Sequence, residues 1–290
     1  MTTDKQRLPV SKTYKLFIGG QFPRTESGRY TRFEVSGDAP PVNVCRASRK
    51  DFRNACVAAR DAFGTWSATS GYLRGQILYR IGEVLEGRHA QFCAELQREG
   101  LSAQAASAEV DAAIDQCLHF AGWTDKYVQV LSAVNPVSSP HFNFSAPQPT
   151  GVVAAVAPAK RGLTGFVAAI LPAIAGTNTV VAIASEAHPL TAVAFAEVLH
   201  ASDVPAGVVN VLTGQWDELL PHCASHMDVN ALVLADVDAK ARAECQIAAA
   251  DNVKRLVHID AACLPGLEQD GLDAVGDLQE IKTTWHPVAN

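Results

Sequence analysis

Apolar positions along this chain fall into two textures, and the change comes near Gly151. Before it, hydrophobic residues recur every three or four positions, the spacing of one helix face. Phe52, Cys56, Ala59 and Phe63 form one stripe, with Gly64 expected as its C-terminal cap. Leu73, Ile77, Ile81, Val84 and Leu85 form a second, predicted to run on to Gly100. Val110, Ile114, Cys117, Leu118 and Ala121 form a third, reaching about Tyr127. Ahead of the helices, the short apolar run from Tyr14 to Phe22 is broken by Gly19 and Gly20, which predicts a hairpin. Pro136 to Pro149 is rich in Ser, Pro and Asn and reads as a connection or an edge strand.

After Gly151 the apolar runs become short and continuous, as in strands covered on both faces. Strands are predicted over 152–157, 179–183, 208–212, 231–234 and 255–259. Helices are predicted between them over 163–175, 189–200, 217–225 and 238–250, with Pro189 suited to a first helical turn. Five strands alternating with helices through short connections predict an α/β fold with a doubly wound parallel sheet. The tail from Leu264 is punctuated by Gly266, Gly271 and Gly276 before Ile281 to Trp285, which has strand composition.

Composition narrows the function. The chain has 290 residues, enough for one large domain or two ordinary ones. With 48% hydrophobic and 19% charged residues it is globular in type. A net charge of −6 argues against nucleic acid or an anionic membrane as the partner. The first ten residues carry charges without an apolar core, so a secretory signal is not expected. The most apolar stretch, Gly165 to Ile183, is interrupted by Pro172, Gly176 and Asn178 and suits a buried helix and strand better than a membrane span. Seven cysteines, without paired spacing, fit free thiols in a reducing cytoplasm.

Several segments together resemble the NAD(P)-dependent aldehyde dehydrogenase superfamily. They are the run from Leu16 to Phe22, the helix end from Ala58 to Trp66, Phe120 to Trp123 with Lys126, the strand from Pro149 to Pro158, and Pro205 to Gly214. The resemblance implies a sheet of the family's cofactor-binding type, with N-terminal helices and small oligomerisation strands. It divides the chain into 1–135 (hairpin and helices), 136–150 (connection or oligomerisation strand), 151–263 (parallel α/β core) and 264–290 (tail with a C-terminal oligomerisation strand).

The resemblance also implies a chemistry: a Cys thiolate attacks the aldehyde, hydride passes to NAD(P), and a Glu activates water. This chain departs from the pattern at each point. Ala159-Lys160 stands where the family has Trp-Asn, so a cation replaces the amide that steadies the oxyanion. Ile183-Ala-Ser-Glu186 stands in place of Lys-Pro-Ser-Glu, keeping only Ser185 and Glu186. Asp236 and Asp238 replace a Gly-Ser-Thr turn beside the expected pyrophosphate, where carboxylates repel phosphate but cap a helix well. Asp260 lies near the position of the general base, and Cys263 comes too early for the nucleophile. The 27 residues after it are too few for the second α/β domain in which the resemblance implies the catalytic thiol, so the chain resembles a short member lacking the catalytic domain. The resemblance therefore implies no catalytic residue and only vestigial cofactor positions at Lys160, Ser185, Glu186 and Gly214. No cofactor is expected; NAD or NADP is the one implied if any binds.

His222 and His226 have the spacing of a metal-binding helix face, but no third and fourth ligand accompanies them, and no metal is expected. Lys160 and Arg161 suit an anion at the old cofactor cleft. Three readings follow. The first is a catalytically inactive, cytoplasmic family member acting as a structural or regulatory subunit, with itself or with a full-length aldehyde dehydrogenase. The second is an NAD(P)-dependent aldehyde oxidoreductase active only with residues from a partner. The third is a module binding a small anion.

Overall fold

The computed structural model describes residues 12–37, 39–259 and 271–288. Asp260, Cys263, Gly266 and the boundary at 263 lie outside the described residues. The strands β1 (Tyr30–Phe33) and β2 (Val42–Cys45) form a small antiparallel pair. The helices α1 (Arg49–Ser67), α2 (Gly71–Gly87), α3 (His89–Arg98), α4 (Ala103–Trp123) and α5 (Tyr127–Leu131) follow. Then come β3 (Ala133–Asn135) and β4 (His141–Pro149). The alternating half comprises β5 (Val152–Val156), α6 (Leu163–Ala175), β6 (Thr179–Ile183), α7 (Pro189–His200), β7 (Val209–Leu212), α8 (Trp216–Ser225), β8 (Ala231–Ala235), α9 (Ala239–Ala250) and β9 (Arg255–Ile259). Helix α10 (Gly271–Gly276) and strand β10 (Gln279–Pro287) close the described chain.

The five parallel strands lie in the order β7-β6-β5-β8-β9, so the chain reverses its direction of travel across the sheet between β5 and β8. Alternate side chains of β5 serve opposite faces. Val153 and Ala155 join a core with α2, α4, α6 and α7, while Val152, Ala154 and Val156 join one with α1, α8 and α9. Helix α6 is buried along its whole length, which explains why its sequence is apolar all round. Buried Asn178 ties the sheet to the tail: its Oδ1 accepts from Gly151 N at 2.9 Å, and its Nδ2 donates to Leu278 O at 3.0 Å. Buried Arg74 of α2 donates to Ala175 O at the end of α6 and to Thr124 O after α4, serving carbonyls that helix ends leave free.

Several boundaries differ from the sequence expectation. Helix α1 passes through Gly64 to Ser67, because burial of Trp66 two residues further on outweighs the ~1 kcal/mol that a helical glycine costs. The helix expected to reach Gly100 breaks at Gly87-Arg88, and α3 turns to pack on both α4 and α7. The third helix stops at Trp123, and Tyr127 opens α5 instead. The expected hairpin at Tyr14–Phe22 is a tight turn with a single bridge, Ile18 to Gln21. Gly19 and Gly20 supply its positive φ angles, 59° and 75°. Its first leg pairs elsewhere, Phe17 with Val211 and Tyr14 with Val44, which gives buried backbone groups their partners. The segment read as a connection or edge strand holds the long strand β4, the centre of the antiparallel order β10-β4-β3.

Candidate functional site

In a doubly wound sheet, ligands gather at the carboxyl ends of the strands, where the next helices begin. The first N–H groups of each helix lack intrahelical partners and favour anions. Three of the four helices that start here lack a local side-chain cap. Gly162, His188 and Gln215 hold the cap positions of α6, α7 and α8, and none donates a side-chain acceptor.

Distant carboxylates fill the gap. Glu109 of α4 accepts from Leu163 N at 2.7 Å and Thr164 N at 3.3 Å at the start of α6. Glu99, just after α3 and with its side chain wholly buried, accepts from Leu190 N at 2.6 Å and Thr191 N at 3.0 Å at the start of α7. A third bond comes from Thr191 Oγ1 at 2.5 Å. Glu186 accepts from Trp216 N at 2.7 Å at the start of α8. Helix α9 is capped locally, Asp238 Oδ1 accepting from Ala241 N at 2.9 Å. Every helix beginning at this edge, from α6 to α9, thus presents its free N–H groups to a carboxylate of the same chain.

Three of the four residues singled out from the sequence meet here. Ser185, Glu186 and Gly214 line one small cavity of about 30 Å3 together with Thr31, Phe33 and Gln215. A cofactor pocket is typically ten or more times larger. Trp216 helps to close this edge, its indole Nε1 donating to Ala184 O at 3.0 Å. Gly214 is explained by close approach, since a Cβ there would lie 3.2 Å from Ala47 N. Ser185 is buried, and its Oγ accepts from Ala187 N at 3.2 Å. Lys160 stands apart, exposed on the turn after β5.

Five of the six described thiols are held away from the nucleophilic form. Burial pushes Cys56 and Cys117 up to about 12, the former helped by the charge of Asp228. Burial raises Cys223 and Cys245 as well. Half-buried Cys93 comes closest to an activated arrangement. Its Sγ lies 3.5 Å from His89 Nδ1, and His89 Nε2 lies 3.0 Å from Asp111 Oδ1. Burial and the negative charge of Asp111 nevertheless raise this thiol too, which keeps it protonated at neutral pH. The capping carboxylates Glu99 and Glu109 were not singled out from the sequence. The available signal was indirect: a helix start without Ser, Thr, Asp or Asn needs an acceptor from elsewhere.

The sequence model of the Aldehyde dehydrogenase family matches residues 25–258. The chain belongs to the aldehyde dehydrogenase family. Among relatives of this family, an aldehyde dehydrogenase of Aspergillus niger is 30% identical over 245 residues, covering 83% of this chain and 48% of the relative. The cytosolic 10-formyltetrahydrofolate dehydrogenase of Mus musculus is 29% identical over 231 residues, covering 77% of this chain and 26% of that one. An aldehyde dehydrogenase of Bacillus cereus, solved as an NAD+ complex, superposes with a TM-score of 0.80 at 23% identity, over 86% of this chain and 51% of that one. The chain thus spans about half the length, or less, of the aldehyde dehydrogenases it matches. Its parallel sheet and flanking helices have the fold of their NAD-binding domain. Among the described residues, no helix is long and apolar enough to cross a membrane.

Proposed function

We propose that this chain is a non-catalytic member of the aldehyde dehydrogenase family, a structural or regulatory subunit that pairs with a second copy or with a full-length relative. The observation that carries this reading is the self-capped sheet edge. Glu186 is engaged by Trp216 N, and Asp238 occupies the helix start nearest the expected pyrophosphate. A dinucleotide phosphate placed there would meet Asp236 and Asp238 in place of free N–H groups. The residues present do not fit NAD(P) without displacement of the chain's own carboxylates.

Two further features support the reading. The segment between the end of β9 at Ile259 and the start of β10 at Gln279 is far shorter than a domain, so it holds no thiol-bearing lobe of ordinary size. Strand β10, nine residues long, lies at the edge of its sheet with Ile281 and Trp285 more than half exposed. Among the described residues the outer edge of β10 is unpaired, and a free edge of this length favours pairing with another chain. The six described cysteines are free thiols, which supports a cytoplasmic setting.

Light scattering on the purified chain, alone and mixed with a full-length aldehyde dehydrogenase, tests the assembly. Ile281→Lys with Trp285→Lys should release monomers without loss of the fold, since both side chains are exposed. A wild-type chain that stays monomeric in both settings overturns the reading. Heat on titration with NAD or NADP would favour instead the second reading, in which partner residues complete an active site.

A further inference from the structure

His222, in the last turn of α8, and His226, the extended residue that ends it, acquire neighbours that the sequence did not show. His222 and His226 face α1 across a cavity of about 230 Å3, lined by Arg49, Phe52, Arg53, His222, Ser225 and His226. Arg49 and Arg53 are themselves four residues apart on one face of α1, while His222 comes from the last turn of α8 and His226 from the residue that ends it. Neither guanidinium donates a hydrogen bond to, or pairs with a carboxylate of, any described residue. Among the described residues, no carboxylate lines the cavity. A metal cation would enter beside two fixed positive charges, and among the described residues no three His, Cys, Asp or Glu are grouped to hold one.

The wall chemistry suits the opposite charge. The ring of Phe52 packs edge-on against His226, centroids 5.7 Å apart, and fixes the imidazole plane. His226 Nδ1 accepts from Asp228 N at 3.3 Å, which leaves Nε2 to carry the proton as a donor. The Ser225 hydroxyl is committed to Pro221 O at 2.7 Å, so the available donors are the two guanidinium groups and the two imidazoles. The volume equals the liquid share of roughly eight waters, room for a tetrahedral ion and part of an ester. The cavity lies at the C-terminal half of α8, away from the cofactor-type edge where that helix begins.

We propose that this cavity binds a small tetrahedral oxyanion, a phosphate either free or as a monoester, through Arg49, Arg53, His222 and His226. Paired guanidinium forks match such an anion geometrically, and charge-assisted bonds are the strong ones. Burial, followed by the charge of Arg49, holds His222 below the usual histidine range. Burial also lowers His226; the charges of Lys254, Arg49 and Arg53 add to this and Asp228 opposes it. An anion favours the charged imidazoles; protonation of His226 at Nδ1 gives up the 3.3 Å bond from Asp228 N, so His222 leads, and binding tightens as pH falls through the histidine range. The site is independent of the subunit reading and stands or falls apart from it.

The test is calorimetry on the full chain at constant ionic strength, with sulfate as first probe because it keeps its charge between pH 6 and 8. Sulfate should bind about tenfold or more tightly at pH 6 than at pH 8. Arg49→Ala with Arg53→Ala should weaken it at least about tenfold while the circular dichroism is unchanged, since both side chains are exposed. Histidine proton resonances should show His222 and His226 titrating at higher pH when sulfate is present. Inorganic phosphate and glycerol phosphate, compared at one pH, decide between a free ion and an ester by which binds more tightly. Heats no larger than those of matched chloride, affinity unchanged in the double variant, or zinc bound through His222 and His226 in place of the anion would each overturn the proposal.

Discussion

The carboxylate of Glu186 and the backbone of Trp216 are joined by a 2.7 Å hydrogen bond across the carboxyl end of the parallel sheet. The sequence resemblance implied a vestigial cofactor position at Glu186, whereas in the structure it closes the first turn of the chain's own helix. Glu186→Ala should therefore lower stability by about 1 kcal/mol, the usual cost of a lost helix cap. Calorimetry should show no NAD or NADP heat for either form. A wild-type heat that disappears in the variant would mean that Glu186 leaves Trp216 for a ribose.

Glu99 and Glu109 cap neighbouring helices from different depths. Glu99→Ala strips three donors of a wholly buried acceptor and should cost about 3 kcal/mol. Glu109 is itself half-buried, so water can follow the truncated side chain to Leu163 N and Thr164 N, and about 1 kcal/mol is expected. Urea unfolding midpoints of the two variants separate these values, and equal losses would contradict the depth argument.

Asp51 makes stability depend on acid. Burial alone would raise its carboxyl, but hydrogen bonds from Thr25, the Glu26 backbone and Ser48 together carry it below the usual carboxylate value. A folded pKa below the unfolded one contributes stability that is fully present above the unfolded value, about 3.9, and is lost as pH falls through the lower folded value. Asp51→Asn should be less stable than the parent at pH 7. The difference should shrink steadily below about pH 4. Thermal unfolding across pH 2.5 to 7 measures both limbs.

The described thiols should react in order of access. Alkylation of the native chain, mapped by peptide mass, should label half-buried Cys93 well before Cys56, Cys117 and Cys223, which should wait for unfolding. Because burial raises Cys93, its rate should climb steadily toward alkaline pH and show no thiolate plateau near neutrality. Rapid labelling at pH 7 would show instead that His89 and Asp111 activate it.

The alternating half of the chain was legible because each of its signals is local. The helix expected over 163–175 and the strand over 179–183 match the structure residue for residue, since continuous apolar runs and the break at Gly176 and Asn178 leave little alternative. Pro189 opens α7 as its fixed φ predicts. The N-terminal half was read less well. The stripes were visible, but Trp66 extends α1 and Gly87 divides the next helix for reasons of packing on α4 and α7. The terminal strand was recognised at Ile281 to Trp285; its extension to Gln279–Pro287 follows from nine-residue pairing with β4.

Of the candidate site, the residue types were readable and their company was not. Ser185, Glu186 and Gly214 could be named from the segments around them, and three of the four named residues do meet. That Glu186 spends itself on Trp216 depends on where a loop thirty residues away returns. Likewise His222 and His226 show only their spacing in sequence, whereas Arg49 and Arg53 stand beside them because α1 packs on α8.

The order of apolar and turn residues by itself determined a doubly wound parallel sheet, because burial on both faces and short connections are demands each segment states locally. Which charges meet was decided only in three dimensions. A carboxylate caps whichever free N–H groups packing brings within about 3 Å of it, and that distance is a property of the assembled layers and not of any one segment.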